Sequence, residues 1–439
     1  MGYDLVVVGG GPAGVGTAVA AAKNGLKTAI IERHSMLGGN WTSGYVLSIL
    51  GMYTYDGTMK IVGGVADEII ENLKAYKGTN GQSHNFIPFR PDEMKLSLDS
   101  IMKKYAIDIY INSLVAGVSV DSGIIRSVDI EGKDGLKRIA GKMFVDSSGD
   151  ADLVYLSAGT GNVMEGKEGA GWHQEATLPF RLASVDEKRL IAFSKEHKEM
   201  VGIVMNGKRI ERIRIMPPLV EKAKSERRLY LPETNSEFLF NTVRSGEFVC
   251  NATHTKISNF KDALEMSAAL HDLRHQVVSS LNFLIDEVEG FESAYLIDSA
   301  PSMGMRETRR ALGEYVLKRE DVLGNRKFEE AIARCGHPIE IHDPVKGIVY
   351  EHLNGGDSSW YCIPYGSIVV KGVANLFAIG RCLSAEFDAQ ASARVTGTAM
   401  AMGHAAAVAA SIAIAGSIRA KDVPVKELQE KLRAQGAII

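Results

Sequence analysis

The feature that most constrains the fold of this chain is a glycine pattern that follows its first apolar run. Residues 4–8 predict a buried strand, and a small-residue helix is predicted over residues 12–24. Residues 27–31 predict a second buried strand, which ends at Glu32. Three glycines with the spacing G-x-G-x-x-G connect the first strand to the helix: Gly9, Gly11 and Gly14. This order of strand, glycine turn, helix and strand predicts a dinucleotide-binding unit.

Each part of this unit has a physical role. The first glycine allows a tight turn, the second lets the backbone approach a pyrophosphate, and the third lets the helix pack closely on the strand. The pyrophosphate then lies on free backbone N–H groups at the helix N-terminus. Pro12 suits an early helical position, because its missing N–H is not needed there. A carboxylate at Glu32 can accept hydrogen bonds from both hydroxyls of an adenosine ribose, which favours FAD or NAD over NADP.

Composition and charge narrow the class of protein. The chain has 439 residues, a net charge of -3 and no long basic run, which disfavours nucleic acid as a partner. Its 45% hydrophobic content can fill a sizeable core, and 23% charged residues is ordinary for a soluble protein. We therefore expect a soluble protein with a small-molecule substrate, and a homo-oligomer is compatible with these features.

The cysteines and the N-terminus bear on location. Four cysteines occur without any CxxC pair: Cys250, Cys335, Cys362 and Cys382. Scattered thiols give little support to a zinc site or a redox disulfide, and they fit a reducing compartment. The apolar N-terminus lacks a basic n-region and is interrupted by glycines, so it is interpreted as a strand and turn and not as a signal peptide. The sequence predicts a cytoplasmic protein.

One stretch, residues 397–418, is apolar for about the length of a membrane span. It is dominated by alanine and glycine and contains His404. We interpret it as a tightly packed internal helix, so no membrane span is predicted.

The order of predicted elements indicates a discontinuous domain. Helices are predicted over 67–77 and 92–104, and strands over 107–111, 114–120, 124–130 and 142–145. From about residue 161 alternating segments such as 178–183 and 237–243 indicate a separate antiparallel sheet, followed by a long amphipathic helix around 270–288. The buried strand at 375–379 returns to the first pattern. We predict a cofactor domain of 1–160 plus 363–420 with a helical insertion at about 50–105, a substrate domain of 161–362, and a C-terminal helix or tail of 421–439.

The choice between FAD and NAD depends on the residues after Glu32. A double glycine and hydroxylated residues come next: Leu37, Gly38, Gly39, Asn40, Trp41, Thr42, Ser43 and Gly44. Here the chain resembles FAD-dependent oxidoreductases of the glutathione-reductase-like superfamily, in which this loop passes over the pyrophosphate toward the flavin. Three later stretches resemble one branch, known simply as FAD-dependent oxidoreductases. Residues 146–152 are similar to its D-x-[ST]-G-D-x-D stretch, 304–310 to its G-x-R-E-[ST]-R-R core, and 375–382 with 392–395 to its C-terminal cofactor signature.

The resemblance implies an α/β fold, namely a Rossmann-like FAD-binding domain of the glutathione-reductase type with an inserted mixed or antiparallel-sheet substrate domain. It implies FAD as the cofactor and no metal site. Together with the glycine pattern it predicts these cofactor-binding residues: Gly9, Gly11, Pro12, Ala13, Gly14, Glu32, Arg33, Gly38, Gly39, Asn40, Trp41, Thr42, Val115, Gly149, Asp150, Gly380, Arg381, Arg394 and Val395.

Two departures from the wider superfamily qualify this prediction. Many of its members end the last strand in Gly-Asp, whereas this chain has Gly380-Arg381. No second G-x-G-x-x-G is present, so a dedicated NAD(P)H domain is not predicted, and without CxxC disulfide reduction is disfavoured.

Candidate catalytic groups come from two segments. Arg306 lies in a cationic cluster with Arg309 and Arg310, and a bidentate arginine can hold a substrate carboxylate; pairing with nearby acids is the structural alternative. His342 is the candidate acid or base, with a hydrogen-bonded structural histidine as the alternative. Strand alternation places His337 on the opposite face from His342, which argues against one metal bound by both. Two further histidines are weaker candidates: His173 and His84.

The sequence predicts an FAD-dependent oxidoreductase that transfers a hydride between flavin N5 and a small organic substrate. A flavin-dependent monooxygenase or oxidase, a flavin-linked RNA-modifying protein and a non-catalytic or NAD-binding module are the alternatives. The substrate and the electron acceptor or donor are left open. If His342 is the acid or base, its loss is expected to flatten the pH dependence of the rate near neutrality.

Overall fold

The computed structural model describes residues 2–232, 238–343 and 345–439, with backbone only for Phe238 and Asn241. Glu237, where a strand was predicted to begin, and Pro344, which follows the candidate segment of His342, lie outside the described residues. The described strands are β1 (Tyr3–Val8), β2 (Thr28–Ile31), β3 (Ser48–Leu50), β4 (Phe86–Pro88), β5 (Asp108–Tyr110), β6 (Leu114–Asp121), β7 (Ile124–Gly132), β8 (Gly135–Asp146), β9 (Val163–Glu165), β10 (Phe180–Ala183), β11 (Val201–Asn206), β12 (Arg209–Ile215), β13 (Phe238–Asn241), β14 (Phe248–Cys250), β15 (Tyr295–Ser299), β16 (Arg309–Ala311), β17 (Ala331–Cys335), β18 (Ile339–Asp343), β19 (Gly347–Glu351), β20 (Tyr361–Pro364) and β21 (Leu376–Ala378).

The described helices are α1 (Pro12–Lys23), α2 (Val65–Ala75), α3 (Pro91–Lys104), α4 (Asp152–Ala158), α5 (Glu187–Glu196), α6 (Pro217–Ser225), α7 (Ala263–Glu287), α8 (Arg319–Leu323), α9 (Phe387–Ala393), α10 (Thr396–Gly416) and α11 (Val425–Ala434). The predicted helices at 67–77, 92–104 and 270–288 correspond to α2, α3 and most of α7. Apolar spacing of three and four residues is a local signal, which is why these helices are readable from sequence.

The main sheet is parallel at its centre, in the order β5-β2-β1-β8, with β21 on the other side of β8. β8 is longer than the predicted strand at 142–145, because its two halves have different partners. Its first half pairs with β7 in an antiparallel β6-β7-β8 meander, and its second half pairs with β1 and β21. The predicted strand–helix–strand unit is confirmed as β1-α1-β2.

A second sheet lies between β8 and β21 in the sequence. Its six strands, in the order β11-β12-β13-β14-β10-β15, are all antiparallel. The predicted hairpin turn at Ser245-Gly246 connects β13 to β14. The fold is thus mixed α/β with parallel and antiparallel sheets. The division into 1–160 plus 363–420 and 161–362 stays a prediction.

Helix α10 packs directly on α1. A Cβ added at Gly16 would lie 3.0 Å from the carbonyl oxygen of Met400, and one added at Gly403 would overlap the carbonyl oxygen of Ala13. These two glycines therefore let the helix backbones come close together. Among the described residues, α10 is the one helix long and apolar enough to cross a membrane by length and composition, and 72% of its apolar window is buried inside the chain.

Candidate active site

A cleft open to solvent runs along the carboxyl ends of β1, β2, β8 and β21. In open α/β sheets ligands bind at this edge of the parallel strands. Thirteen of the predicted cofactor residues line the cleft: Gly9, Gly11, Pro12, Ala13, Glu32, Arg33, Gly39, Asn40, Val115, Gly149, Gly380, Arg381 and Arg394.

The other six predicted cofactor residues lie behind the wall of the cleft. Trp41 is fully buried against Phe89, and Thr42 donates its hydroxyl to the carbonyl of Leu37. The remaining four also make protein contacts: Gly14 with Gly9, Gly38 with Thr42, Asp150 with two arginines, and Val395 with Gly51. These six residues shape the cleft from within the protein, and their assignment as cofactor-binding residues stays a prediction.

Other lining residues were not predicted. They are mainly small, hydroxylated or apolar: His34, Ser43, Ser113, Leu114, Ser147, Ser148, Asp152, Ser302, Met303, Met305, Ile379, Thr396 and Ala399. Ser147, Ser148 and Asp152 lie in the stretch that resembles the family motif, so the motif could have identified these three residues as lining the cleft. Thr396 is the first residue of α10, and its Oγ1 is buried without a partner among the described residues.

Glycine occupies the three motif positions for different structural reasons. Gly9 has a φ of +99°, and a Cβ there would overlap the backbone of Ser147. A Cβ at Gly14 would overlap the carbonyl oxygen of Gly9, because the helix lies so close to the strand. At Gly11 φ is -71°, and an added Cβ meets nothing nearer than the Cα of Gly39 at 3.9 Å. Among the described residues nothing requires glycine at position 11, so the space beside it fits a group outside the chain, as a pyrophosphate requires.

Glu32 lies just beyond the end of β2 and is 4% exposed. Its Oε2 accepts a hydrogen bond from the Gly10 N–H at 2.7 Å, and its Oε1 accepts one from the His34 N–H at 2.9 Å. Each carboxylate oxygen has a further lone pair, so the fixed carboxylate can still accept from ribose hydroxyls.

Glu32→Ala is expected to weaken FAD binding about tenfold to a hundredfold, because charge-assisted hydrogen bonds to the ribose are lost. Binding of FMN, which lacks the adenosine, is expected to change little. Titration of the apoprotein with both flavins, followed by fluorescence quenching, measures the two affinities. Glu71→Ala, on the exposed face of α2, is the matched control. An equal loss for FAD and FMN would remove the ribose role.

A charged network links the cleft to the segment before Arg306. The Arg381 Nε donates to the carbonyl of Gly149 at 2.7 Å, its Nη1 donates to the carbonyl of Met305, and its Nη2 pairs with Asp150 at 2.7 Å. Asp150 also pairs with Arg33 at 3.1 Å. Burial acts to raise the pKa of Asp150, but the charges of Arg381 and Arg33 outweigh it and lower that pKa. The arginine that replaces the superfamily acid after Gly380 therefore lies in the cleft wall and is fixed by Asp150.

Next to the cleft lies a set of seven side chains, which we term the polar cluster: Gln174, Glu175, His254, Arg306, Glu340, His342 and Arg394. Five of them are buried, and Glu340 and Arg394 are half-buried. Arg394 belongs to both, since it lines the cleft and its Nη2 donates to Gln174 Oε1 at 3.4 Å and to the Glu340 carbonyl at 3.3 Å. Arg306 donates from Nη1 to the carbonyl of Glu175 at 2.5 Å. Among the described residues neither arginine has a carboxylate within 4.0 Å, whereas Arg309 pairs with Asp152 and Arg310 with Glu168.

The histidines of the polar cluster are held by its glutamates. His342 Nε2 lies 3.0 Å from Glu340 Oε1, and His254 Nδ1 lies 3.3 Å from Glu175 Oε2. The two imidazoles stack with their centroids 5.4 Å apart. Burial lowers the pKa of His254 to about 4, and burial together with the Arg306 charge lowers the pKa of His342 well below 6.5. Both rings are therefore neutral near pH 7.

The other candidate histidines lie outside this cluster. His173 Nδ1 is 2.8 Å from the buried Glu307, in a network that also holds Arg310, and His84 is exposed. His337 precedes β18, so strand alternation does not apply to it. Its Nε2 lies 3.8 Å from Glu340, the residue that holds His342, so the prediction that the two histidines are separated by the strand is wrong. Among the described residues no group of three or more His, Cys, Asp or Glu could hold a metal ion.

Sequence reasoning named Arg306 and His342, and Arg394 as a cofactor residue, and missed the other members of the polar cluster. Glu340 had a readable signal, because it is two residues before His342 on the same face of β18. His254, Glu175 and Gln174 had none, since they come from separate segments that only the tertiary fold brings together.

Comparison with known proteins agrees with this geometry. An α/β fold with a cleft at the carboxyl ends of its parallel strands defines the class of protein. The model of the family described as FAD dependent oxidoreductase matches residues 4–432. The chain belongs to the FAD-dependent oxidoreductase family; it is an enzyme, and FAD is its cofactor.

Individual relatives match more locally. A thiamine thiazole synthase from Methanococcus vannielii is 31% identical over 166 residues, which is 35% of this chain and 59% of that protein. A soluble pyridine nucleotide transhydrogenase from Hahella chejuensis is 58% identical over 40 residues, 9% of each protein. The chain thus matches less than two thirds of the length of these relatives.

Solved structures are similar over nearly the whole chain at low identity. A triple mutant of a flavin-dependent brominase has a TM-score of 0.50 and 14% identity, over 98% of this chain and 84% of that one. A geranylgeranyl bacteriochlorophyll reductase-like protein from Thermoplasma acidophilum has a TM-score of 0.47 and 15% identity, over 99% of this chain and 84% of that one. The brominase likeness shows a shared flavoprotein fold and nothing about the reaction.

Proposed function

We propose that this enzyme oxidises or reduces a small organic substrate by hydride transfer, and that the substrate carries an anionic group bound by Arg306. The glutathione-reductase type of FAD-binding domain is part of this proposal, supported by the parallel β5-β2-β1-β8 order with the β6-β7-β8 meander. FAD, when bound, supplies the two-electron acceptor or donor. The observation that carries the proposal is a buried arginine without an ionic partner in the described chain, next to a neutral histidine and one residue from the cleft wall.

The residues of the polar cluster have separable roles. Arg306 binds the anion, because its unpaired guanidinium is 7% exposed and a buried cation gains most from a charged partner. His342 moves the proton, because its neutral ring has a buried Nδ1 without a partner among the described residues. Burial of both groups keeps water away from the reacting atoms.

Arg306→Ala and His342→Ala are each expected to keep bound FAD with the parental visible spectrum and to lose reduction by substrate. Removal of acid–base assistance lowers rates about a hundredfold or more, so the His342 variant should reduce at least about a hundred times more slowly. Anaerobic stopped-flow bleaching of the flavin, over a panel of metabolites, measures the rate. Two exposed matched controls should behave as the parent: Arg126→Ala and His271→Ala.

The pH dependence gives a second readout. Because the pKa of His342 is lowered well below 6.5, the parent rate is expected to fall only in acid, not near neutrality as the unperturbed histidine predicted. His342→Ala should lose this acid limb. A His342→Ala rate within about threefold of the parent would return this histidine to a structural role, and an Arg306→Ala protein without FAD would make Arg306 a cofactor ligand.

A further inference from the structure

Three features of the polar cluster specify what a ligand must offer. The first is charge. Both glutamates lie against histidines, while Arg306 and Arg394 have no carboxylate within 4.0 Å among the described residues. Burial and the charge of Arg394 lower the pKa of Arg306 to about 10, so the two guanidinium groups repel each other. An oxyanion between them would relieve this repulsion and supply the missing partner.

The second feature is a lone pair. Burial acts to raise the pKa of Glu340, but the hydrogen bond with His342, 3.0 Å away, is the largest opposing effect and the net shift lowers that pKa, so the carboxylate is ionised and only accepts hydrogen bonds. His342 must then carry its proton on Nε2, which leaves Nδ1 with a bare lone pair. That atom is buried and has no partner among the described residues. A ligand must donate a hydrogen to it.

The third feature is an unused amide. Gln174 Oε1 accepts from the His342 N–H at 3.2 Å and from Arg394 Nη2 at 3.4 Å. Its Nε2 is fully buried and has no acceptor among the described residues. Gln174 therefore lies between the guanidinium of Arg394 and the His342 segment, and it presents a donor there that needs an oxygen.

From these features we infer that the substrate is an α-hydroxy carboxylate, with its carboxylate between Arg306 and Arg394 and its hydroxyl donating to His342 Nδ1. This inference rests on the proposed function and names its substrate class. One oxygen, Gln174 Oε1, accepts from both the His342 backbone N–H and Arg394 Nη2, so the His342 segment lies close to that guanidinium, and a hydroxyl next to a carboxylate fits this proximity. An α-amino acid fits less well, because its ammonium would add a third cation beside two unpaired guanidinium groups.

The reaction balances with the groups present. The O–H bond of the hydroxyl breaks, and its proton moves to His342 Nδ1. The C–H bond of the same carbon breaks, and its hydride, with both electrons, reduces FAD. A C=O bond forms, so the product is an α-oxo carboxylate. The proton leaves in a site where His342 is neutral and able to accept it.

The test uses the FAD-loaded full chain and matched ligands in the absence of oxygen. The α-hydroxy carboxylates tested are lactate, malate, tartrate and mandelate. Each is compared with three analogues: the acid that lacks the hydroxyl, the corresponding α-amino acid and the corresponding hydroxy amide. Binding is measured by perturbation of flavin absorbance, and turnover by bleaching. We expect the acids with and without the hydroxyl to bind, the amides to bind at least about tenfold more weakly, and only an α-hydroxy carboxylate to bleach the flavin.

Arg306→Gln separates charge recognition from general damage. It should raise the dissociation constant of the carboxylates at least about tenfold and leave that of the amides unchanged. Equal weakening of acids and amides, or no α-hydroxy carboxylate that binds and bleaches, would overturn the inference. If another substrate class bleaches the flavin and still needs Arg306 and His342, the proposed function stands and the substrate class is wrong. If bleaching needs neither residue, the proposed function itself fails.

Discussion

Gly11→Val is expected to fold as the parent does and to purify without FAD. The Cβ of the new side chain meets no described protein atom closer than the Cα of Gly39, at 3.9 Å, so we expect the fold to be kept. It would instead occupy the space at the N-terminus of α1 that the pyrophosphate needs. We expect FAD affinity to fall at least about a thousandfold, or about 4 kcal/mol. Absorbance of the purified protein and titration of the apoprotein with FAD measure this.

Two other glycines serve as controls for this result. A Cβ added at Gly161 meets no described atom within 4 Å, and this residue lies outside the cleft. The Gly161→Val protein should therefore keep its full complement of FAD. Gly14→Ala, three residues from Gly11, should instead fail to fold, because its Cβ overlaps the carbonyl of Gly9. A Gly11→Val protein that retains FAD at the parental affinity would show that the cofactor does not pass this position.

Gly403→Ala is expected to destabilise the whole protein by about 4 kcal/mol or more, an effect that single substitutions rarely reach. Its Cβ would overlap the carbonyl oxygen of Ala13 and lie 2.8 Å from Thr17 Oγ1, so α10 would have to move away from α1. Both helices border the cleft, and we therefore expect loss of soluble protein, or a thermal midpoint at least about 5 °C lower together with early flavin release.

Gly416→Ala makes the same chemical change at the other end of α10. There the Cβ would meet only the side chain of Ile418 at 3.5 Å, and the residue is exposed. This variant should melt at or slightly above the parental temperature, because alanine favours helix over glycine. Equal thermal midpoints for the two variants would contradict the close packing of α10 on α1.

Much of the cofactor half was predictable because its signals are local. The strand, glycine turn, helix and acid of residues 4–32 lie within one short segment, and two of the three glycines, Gly9 and Gly14, have a steric reason within the chain. The position of β21 next to β8 was not readable, since more than two hundred residues separate the two strands in the sequence. Six predicted cofactor residues lie behind the cleft wall for a related reason, because a motif gives neighbours along the chain and not the direction of each side chain.

The sequence alone determined the dinucleotide unit, the cofactor class through its resemblance, and three residues of the polar cluster: Arg306, His342 and Arg394. Only the tertiary structure decided which of the three clustered arginines has no carboxylate partner among the described residues. Arg309 and Arg310 form ion pairs with Asp152 and Glu168, which are far away in the sequence, and Arg306 forms none. The tertiary structure also decided the protonation state of His342. Burial and the charge of Arg306 lower its pKa, and the hydrogen bond with Glu340 fixes which ring nitrogen carries the proton. Ion pairing and desolvation depend on distances between segments far apart in the chain, and those distances exist only after folding.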